Sequence, residues 1–211
     1  MTELILALDV LTREEALSIA EKTAPYLDAI KIGYPLVLGA GLSVVQEIAT
    51  LGLPLIADFK VADIPNTNRL ITEHAFQAGF SAIIAQGFTG SDSAEACVET
   101  AHDYGGRCYI VTEMSHPGAL EFLSGDNAAK IAGMAVKCGA DGIIAPATRP
   151  ERVKALRDIV GDKKILSPGV GAQGGNAAEI APLIDGMIVG RSIYNAEDPA
   201  KAAEEYSFVR R

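Results

Sequence analysis

The 211 residues carry 27 Asp and Glu against 18 Lys and Arg, a net charge of −9, with 49% hydrophobic residues, 21 Gly, no Trp and 6% aromatics. Such an acidic chain lacks the clustered Lys and Arg on which polyanion binding rests, which excludes a nucleic-acid polymer as partner but not a small anion held locally. The length suits one domain around a single aliphatic core, and Cys97, Cys108 and Cys138, odd in number and without C-x-x-C spacing, suggest buried free thiols instead of a disulfide framework or a zinc site.

Met1-Thr2-Glu3-Leu4 leads straight into an apolar run, not a basic targeting segment, and no apolar stretch reaches membrane-spanning length. A cytoplasmic location and no membrane partner are therefore expected. Leu4–Leu8 is a short strand ending at Asp9, and Thr12 with Glu15 three residues on forms a capping box opening a helix to about Thr23. Ala29–Gly33 is a second strand, followed from Pro35 by a helical stretch, interrupted at Gly39 and Gly41, that runs to about Thr50. The third strand lies in Leu53-Pro-Leu-Ile-Ala-Asp-Phe-Lys60, with its helix from about Asn66 to Ala78. Ala82–Ala85 and a helix from Asp92 to Tyr104 follow, then strand Arg107–Thr112 and, after a long loop from Glu113 to Gly125, a helix from Ala128 to Cys138. Gly142–Ala145 with a helix from Pro150 to Ile159, Lys164–Ser167 with Ala177–Pro182, and Met187–Val189 with the closing segment complete the series. Eight strand–helix pairs without a linker predict the α/β class, a single-domain (β/α)8 barrel of the TIM type over residues 1–211. A doubly wound open sheet, which usually has fewer strands, is the alternative.

Charged residues stand where these buried strands end. Asp58 and Lys60, two apart on a strand, share a face at roughly 6–7 Å, and Asp63 in the following turn can fold back toward them. Alone, D-x-K-x-x-D reads equally well as a solvated ion-pair cluster. However, Asp9 ends the first strand, Lys31 sits between isoleucines on the second, and Ser115 follows the fifth. Barrel active sites are built at the C-terminal ends of the strands, and a buried Lys needs a carboxylate partner, so these groups read as one functional rim. Ser167-Pro-Gly-Val-Gly-Ala-Gln-Gly-Gly175 follows the seventh strand and Gly190-Arg191 the eighth, the usual place for a phosphate site in a barrel, with Gln173 and Arg191 as side-chain donors. Gly169-Val-Gly-Ala-Gln-Gly174 also fits G-x-G-x-x-G, but a dinucleotide fold would place that motif after its first strand, with an acid ending the next. His74 and His102 fall on helices and read as surface residues. His116 lies beside Ser115, as a substrate contact or a loop-ordering hydrogen bond. No cluster has metal-ligand spacing.

Four segments in order, Asp58-Phe-Lys-Val-Ala-Asp-Ile-Pro-Asn-Thr67, Met114-Ser-His-Pro-Gly118, Ser167-Pro-Gly-Val-Gly-Ala-Gln173 and Val189-Gly-Arg191, resemble the orotidine 5′-monophosphate decarboxylases of the short archaeal kind. The resemblance spans essentially the whole chain. It implies decarboxylation of orotidine 5′-monophosphate to UMP and CO2, the last step of pyrimidine nucleotide synthesis, by a homodimer without cofactor or metal. Lys60 would protonate the ring carbon that loses CO2, with Asp58 beside the departing carboxylate and Asp63 reaching in from the neighbouring subunit. Asp9, Lys31 and Thr67 match ribose contacts, Thr67 again from across the dimer, and Ser115 matches the pyrimidine contact. Pro168, Gln173, Gly190 and Arg191 fall in the segments that match the substrate and phosphate grip, and Ile64 matches an apolar wall near the reacting carbon.

The chemistry suits these residue types. Loss of CO2 leaves a carbanion in the ring plane, beyond reach of the π system, where a fixed ammonium is both stabiliser and acid. The nearest rivals are the magnesium-dependent 3-keto-gulonate-phosphate decarboxylases and hexulose-phosphate synthases, which also resemble the chain around D-x-K-x-x-D. Those enzymes place a metal-binding Glu where this chain has Lys31. A non-catalytic nucleotide-phosphate sensor on the same barrel is a third reading, opposed by the presence of Lys60 with both aspartates.

Overall fold

Short apolar runs closed off by glycine or polar residues form eight parallel strands: β1 (Glu3–Ala7), β2 (Ala29–Gly33), β3 (Leu55–Val61), β4 (Ala82–Gln86), β5 (Arg107–Val111), β6 (Gly142–Ile144), β7 (Lys164–Pro168) and β8 (Gly186–Val189). Each pairs with the next in sequence, and β8 pairs back to β1 through Ile5↔Ile188, which closes the barrel. The expected (β/α)8 architecture is therefore present. The computed structural model describes residues 1–210.

Strand alternation divides the apolar residues into two cores. Ile5, Ala7, Ile56, Ile84, Tyr109, Val111, Ile144, Leu166 and Ile188 fill the barrel interior, while Ile30, Ile32, Ile83, Ile110, Ile165 and their neighbours face the surrounding helices. In β2 this puts Ile30 and Ile32 outward and leaves Lys31 inside the barrel, only 5% exposed. Burying each large aliphatic side chain contributes about 1.5–3 kcal/mol, so register is firmly set. A one-residue slip of β2 would bring both isoleucines to the barrel interior and turn Lys31 toward the helices.

The helices on the outer face are α1 (Arg13–Thr23), α2 (Tyr34–Ala40), α3 (Val44–Ala49), α4 (Pro65–Gln77), α5 (Ser91–Asp103), α6 (Gly125–Lys137), α7 (Pro150–Val160), α8 (Ala177–Ile180), α9 (Arg191–Tyr194) and α10 (Pro199–Tyr206). Thr12 caps α1 as expected, its hydroxyl accepting from the Glu15 N–H at 3.3 Å. The stretch from Pro35 to Thr50 is two helices, because Gly41 takes φ +82° and breaks the ladder between α2 and α3. The long β5–α6 connection is less structureless than its sequence suggests. Pro117–Glu121 forms a 3₁₀ turn, and Ala119 within it and Leu123 just after it are buried.

Cys97 and Cys108 are fully buried, and burial pushes their thiols up, Cys97 to about 11. Cys138 departs from the expectation. As the residue capping α6 it is only partly covered, its Sγ 3.7 Å from the Ser91 carbonyl.

Candidate active site

The site is organised by an irregularity in β3. Against β4, the pairing jumps from Ala57↔Ile83 to Val61↔Ala85, four steps on one strand against two on the other. Within this bulge Lys60 takes φ +45°, the one non-glycine residue with positive φ among the described residues. Such a conformation costs on the order of 1–3 kcal/mol and collects at functional sites. Asp58 and Lys60 share the cavity face, as alternation predicts, with Lys60 Nζ 2.6 Å from Asp58 Oδ1.

Asp58 Oδ2 accepts from the Lys31 ammonium, which also lies 3.8 Å from Asp9 Oδ1. Four charges from three neighbouring strands thus alternate in sign: Asp9, Lys31, Asp58, Lys60. The Asp58 side chain is only 11% exposed. Burial pushes its carboxyl up, but the charges and hydrogen bonds of Lys31 and Lys60 together outweigh this and hold it below the usual carboxylate range. Both Asp9 and Asp58 face the Lys31 ammonium. Among the described residues no group of three or more His, Cys, Asp or Glu is placed to hold a metal ion.

The cavity, about 230 Å³, is lined by Asp9, Lys31, Asp58, Lys60, Ser115, Pro168, Gln173, Gly190 and Arg191, all singled out in the sequence. Asp63, Ile64 and Thr67 are not among its lining residues. Asp63 is turned outward, its Oδ1 accepting from the Ile64 N–H at 2.7 Å. Ile64 is 66% exposed and Thr67 half-buried in the first turn of α4. What fixes this turn is a pair of residues the sequence did not mark. Buried Asn68 accepts from the Asp63 N–H at 3.0 Å and donates to Ser93 Oγ at 2.7 Å, while Ser93 Oγ donates to the Asp63 carbonyl at 2.7 Å.

The opposite end of the cavity is built from glycines. Gly169 (φ +100°) and Gly171 (φ +70°) turn the chain after β7 into a small loop closed by the Val170↔Gly175 bridge. A Cβ on Gly171 would lie 2.4 Å from Ser192 Oγ and 2.7 Å from Tyr206 Oη, so the position accepts only glycine without movement. The Ala172 N–H donates to Ser192 Oγ at 2.9 Å, tying the loop to α9. Gln173 and Arg191 stand exposed at the mouth beside Gly190, a suitable setting for a phosphate dianion. Apolar residues join the two ends: Ile84, Val111, Ile144 and Ile188 from the barrel interior, with Met114 and Val170. Strand alternation from the interior layer could have found the first four. Tyr194, three residues after Arg191 on α9, also lines the cavity, and burial pushes its phenol up, as does the nearby charge of Asp9.

The histidines stay apart from this chemistry. His102 Nε2 lies 3.1 Å from Asp141 Oδ2, His74 is exposed on α4, and His116 is exposed before the 3₁₀ turn. The cavity therefore joins a lysine–carboxylate pair at one end to an exposed glutamine and arginine at the other through an apolar middle.

Known proteins resemble this chain over nearly its whole length. The family model described as Orotidine 5'-phosphate decarboxylase / HUMPS family matches residues 2–206. Orotidine 5'-phosphate decarboxylase from Methanococcoides burtonii is 59% identical over 204 residues, covering 96% of this chain and 94% of that protein. The enzyme of the same description from Methanosarcina mazei is 59% identical over 206 residues, 97% of this chain and 93% of that one. Among solved structures, orotidine 5'-monophosphate decarboxylase from Methanocaldococcus jannaschii, complexed with inhibitor BMP, superposes with a TM-score of 0.95 at 45% identity, covering 99% of this chain and 98% of that one. With its barrel, its β3 lysine–aspartate pair and these relatives, the chain belongs to the orotidine 5'-phosphate decarboxylase / HUMPS family.

Proposed function

We propose that this chain decarboxylates orotidine 5′-monophosphate to UMP and CO2. The observation that carries the assignment is the Lys60 ammonium, held by Asp58 on a strained bulge at one end of a cavity whose other end is a glycine cradle with Gln173 and Arg191. With phosphate at Arg191 and the pyrimidine beside Ser115, the ring carboxylate would lie toward Asp58 and Lys60. The C6–carboxylate bond breaks, its electron pair stays on C6 in the ring plane, and Lys60 Nζ supplies the proton that forms the C6–H bond. An ammonium already fixed in place needs no reorganisation as that charge develops, which is the main advantage of a preorganised site. Lys31 holds the second oxygen of Asp58, so that carboxylate keeps both its charge and its direction. Binding of the remote phosphate orients the reacting ring.

Asp63, Ile64 and Thr67 enter this scheme through a second copy of the chain. None of the three lines its own cavity, and the individually exposed apolar residues Leu11, Tyr34, Leu38, Ile64 and Phe88 are ones that a homodimer could cover. In such a dimer Asp63 and Thr67 of one protomer would complete the site of its partner. A nucleotide-synthesising activity would suit a cytoplasmic location, and no helix among the described residues is long and apolar enough to cross a membrane.

The magnesium-dependent sugar-phosphate enzymes of the same broad family are the second reading, and Lys31 speaks against them. An ammonium between Asp9 and Asp58 occupies the place where a divalent cation would need free carboxylates. Turnover of orotidine 5′-monophosphate, followed by its absorbance, is expected to be unchanged in excess EDTA. Loss of turnover in EDTA, restored by magnesium, would favour the metal-dependent chemistry.

A further inference from the structure

One buried charge cluster lies behind the cavity and takes no part in the chemistry above. Glu113, two residues after β5, has a fully buried side chain, yet it is gripped by two arginines from the start of α7. Arg149 Nε donates to Oε1 at 2.7 Å and Arg152 Nε donates to Oε2 at 3.0 Å. The same guanidinium groups reach the backbone at both ends of the β5–α6 connection, Arg149 to the Met114 carbonyl and Arg152 to the Gly125 carbonyl at 3.2 Å.

A buried carboxylate held by two arginines seldom adds stability beyond what apolar packing of the same volume would give, because desolvation offsets the attraction. What it does supply is direction, since each guanidinium donates one N–H to a carboxylate oxygen and another to a backbone carbonyl, which fixes all the partners together. The segment so fixed is Met114-Ser115, which lines the cavity. Ser115 also packs against that cradle, for a Cβ on Gly169 would lie 3.2 Å from both Ser115 Cβ and Thr148 Cγ2.

We propose that Glu113, Arg149 and Arg152 form a clasp that positions Met114 and Ser115 against the nucleobase, making them positioning residues for the base end of the site. The clasp rests on the decarboxylase assignment above, since it needs a base at Ser115. It acts through Met114 and Ser115, and its hydrogen bonds reach neither Gln173 nor Arg191.

The test uses Glu113→Gln, which keeps the shape and removes the charge, and Arg152→Met, which keeps the Glu113–Arg149 pair and serves where the first variant does not fold. For each, KM and kcat for orotidine 5′-monophosphate, inhibition constants for UMP and ribose 5-phosphate, and the melting temperature are measured. The clasp predicts a rise of about tenfold or more in KM and in the UMP constant, with the ribose 5-phosphate constant within about twofold of wild type. Equal weakening of both inhibitors, or a lowered melting temperature with unchanged constants, would overturn it and leave a purely structural ion pair. Absence of turnover in the wild-type protein would instead overturn the decarboxylase assignment, so the two failures are distinguishable.

Discussion

Asp58 is the residue on which the charged rim depends, because it alone touches both ammonium groups. Its carboxyl is held below the usual range, so the unfolded chain binds the proton more readily than the folded one, and the stability this group contributes is present above the unfolded pKa of about 4. That contribution is lost as pH falls through the lowered folded value. Asp58→Asn leaves Lys31 buried with only Asp9 nearby and is expected to cost about 3 kcal/mol at neutral pH. In denaturant titrations the gap to wild type should close as pH falls below the ordinary carboxylate range, and a gap independent of pH would show that charge pairing is not its cause. The residue pattern was legible: Asp9, Asp58 and Lys60 at the ends of apolar runs, with Lys31 inside one, named four groups that the structure brings into one cavity. The positive φ of Lys60 was not legible, because nothing in Ala57-Asp-Phe-Lys-Val61 demands a left-handed residue. That conformation comes from the two extra steps β3 takes against β4, a tertiary constraint.

At the scale of elements, the loop after β7 is where glycine matters most. Gly171→Ala would place a methyl 2.4 Å from Ser192 Oγ at φ +70°, straining the backbone and pressing on the tie that holds Ala172 to α9. A stability loss of about 1 kcal/mol or more is expected, together with a KM for orotidine 5′-monophosphate raised severalfold. An unaltered KM would mean that the cradle does not grip the phosphate. The strand and helix order of this region followed directly from the sequence, with boundaries shifted by a few residues where caps and turns decide them. The turn from Asp63 to α4 could be read only in part. Asp63 could fold toward Lys60 on sequence grounds, but Asn68 and Ser93, which hold that turn open, are distant partners whose meeting depends on α4 packing beside α5.

For the molecule as a whole, barrel closure brings the ends of β1, β2, β3, β5, β7 and β8 to one rim, and Asp63 and Thr67 are not among the residues that line the cavity of a single copy. If the working unit is a dimer with shared sites, mixing Lys60→Ala with Asp63→Ala subunits restores activity, since one hybrid site is then wild type. A mixture that forms hybrids and stays inactive would place Asp63 in its own chain's chemistry. Whether the rim performs decarboxylation at all rests on Lys60. The most direct measurement follows the loss of orotidine 5′-monophosphate absorbance with purified wild-type protein and with Lys60→Ala. The account predicts turnover by wild type and a fall of at least about 10³-fold in kcat for the variant; equal rates for the two proteins would contradict it.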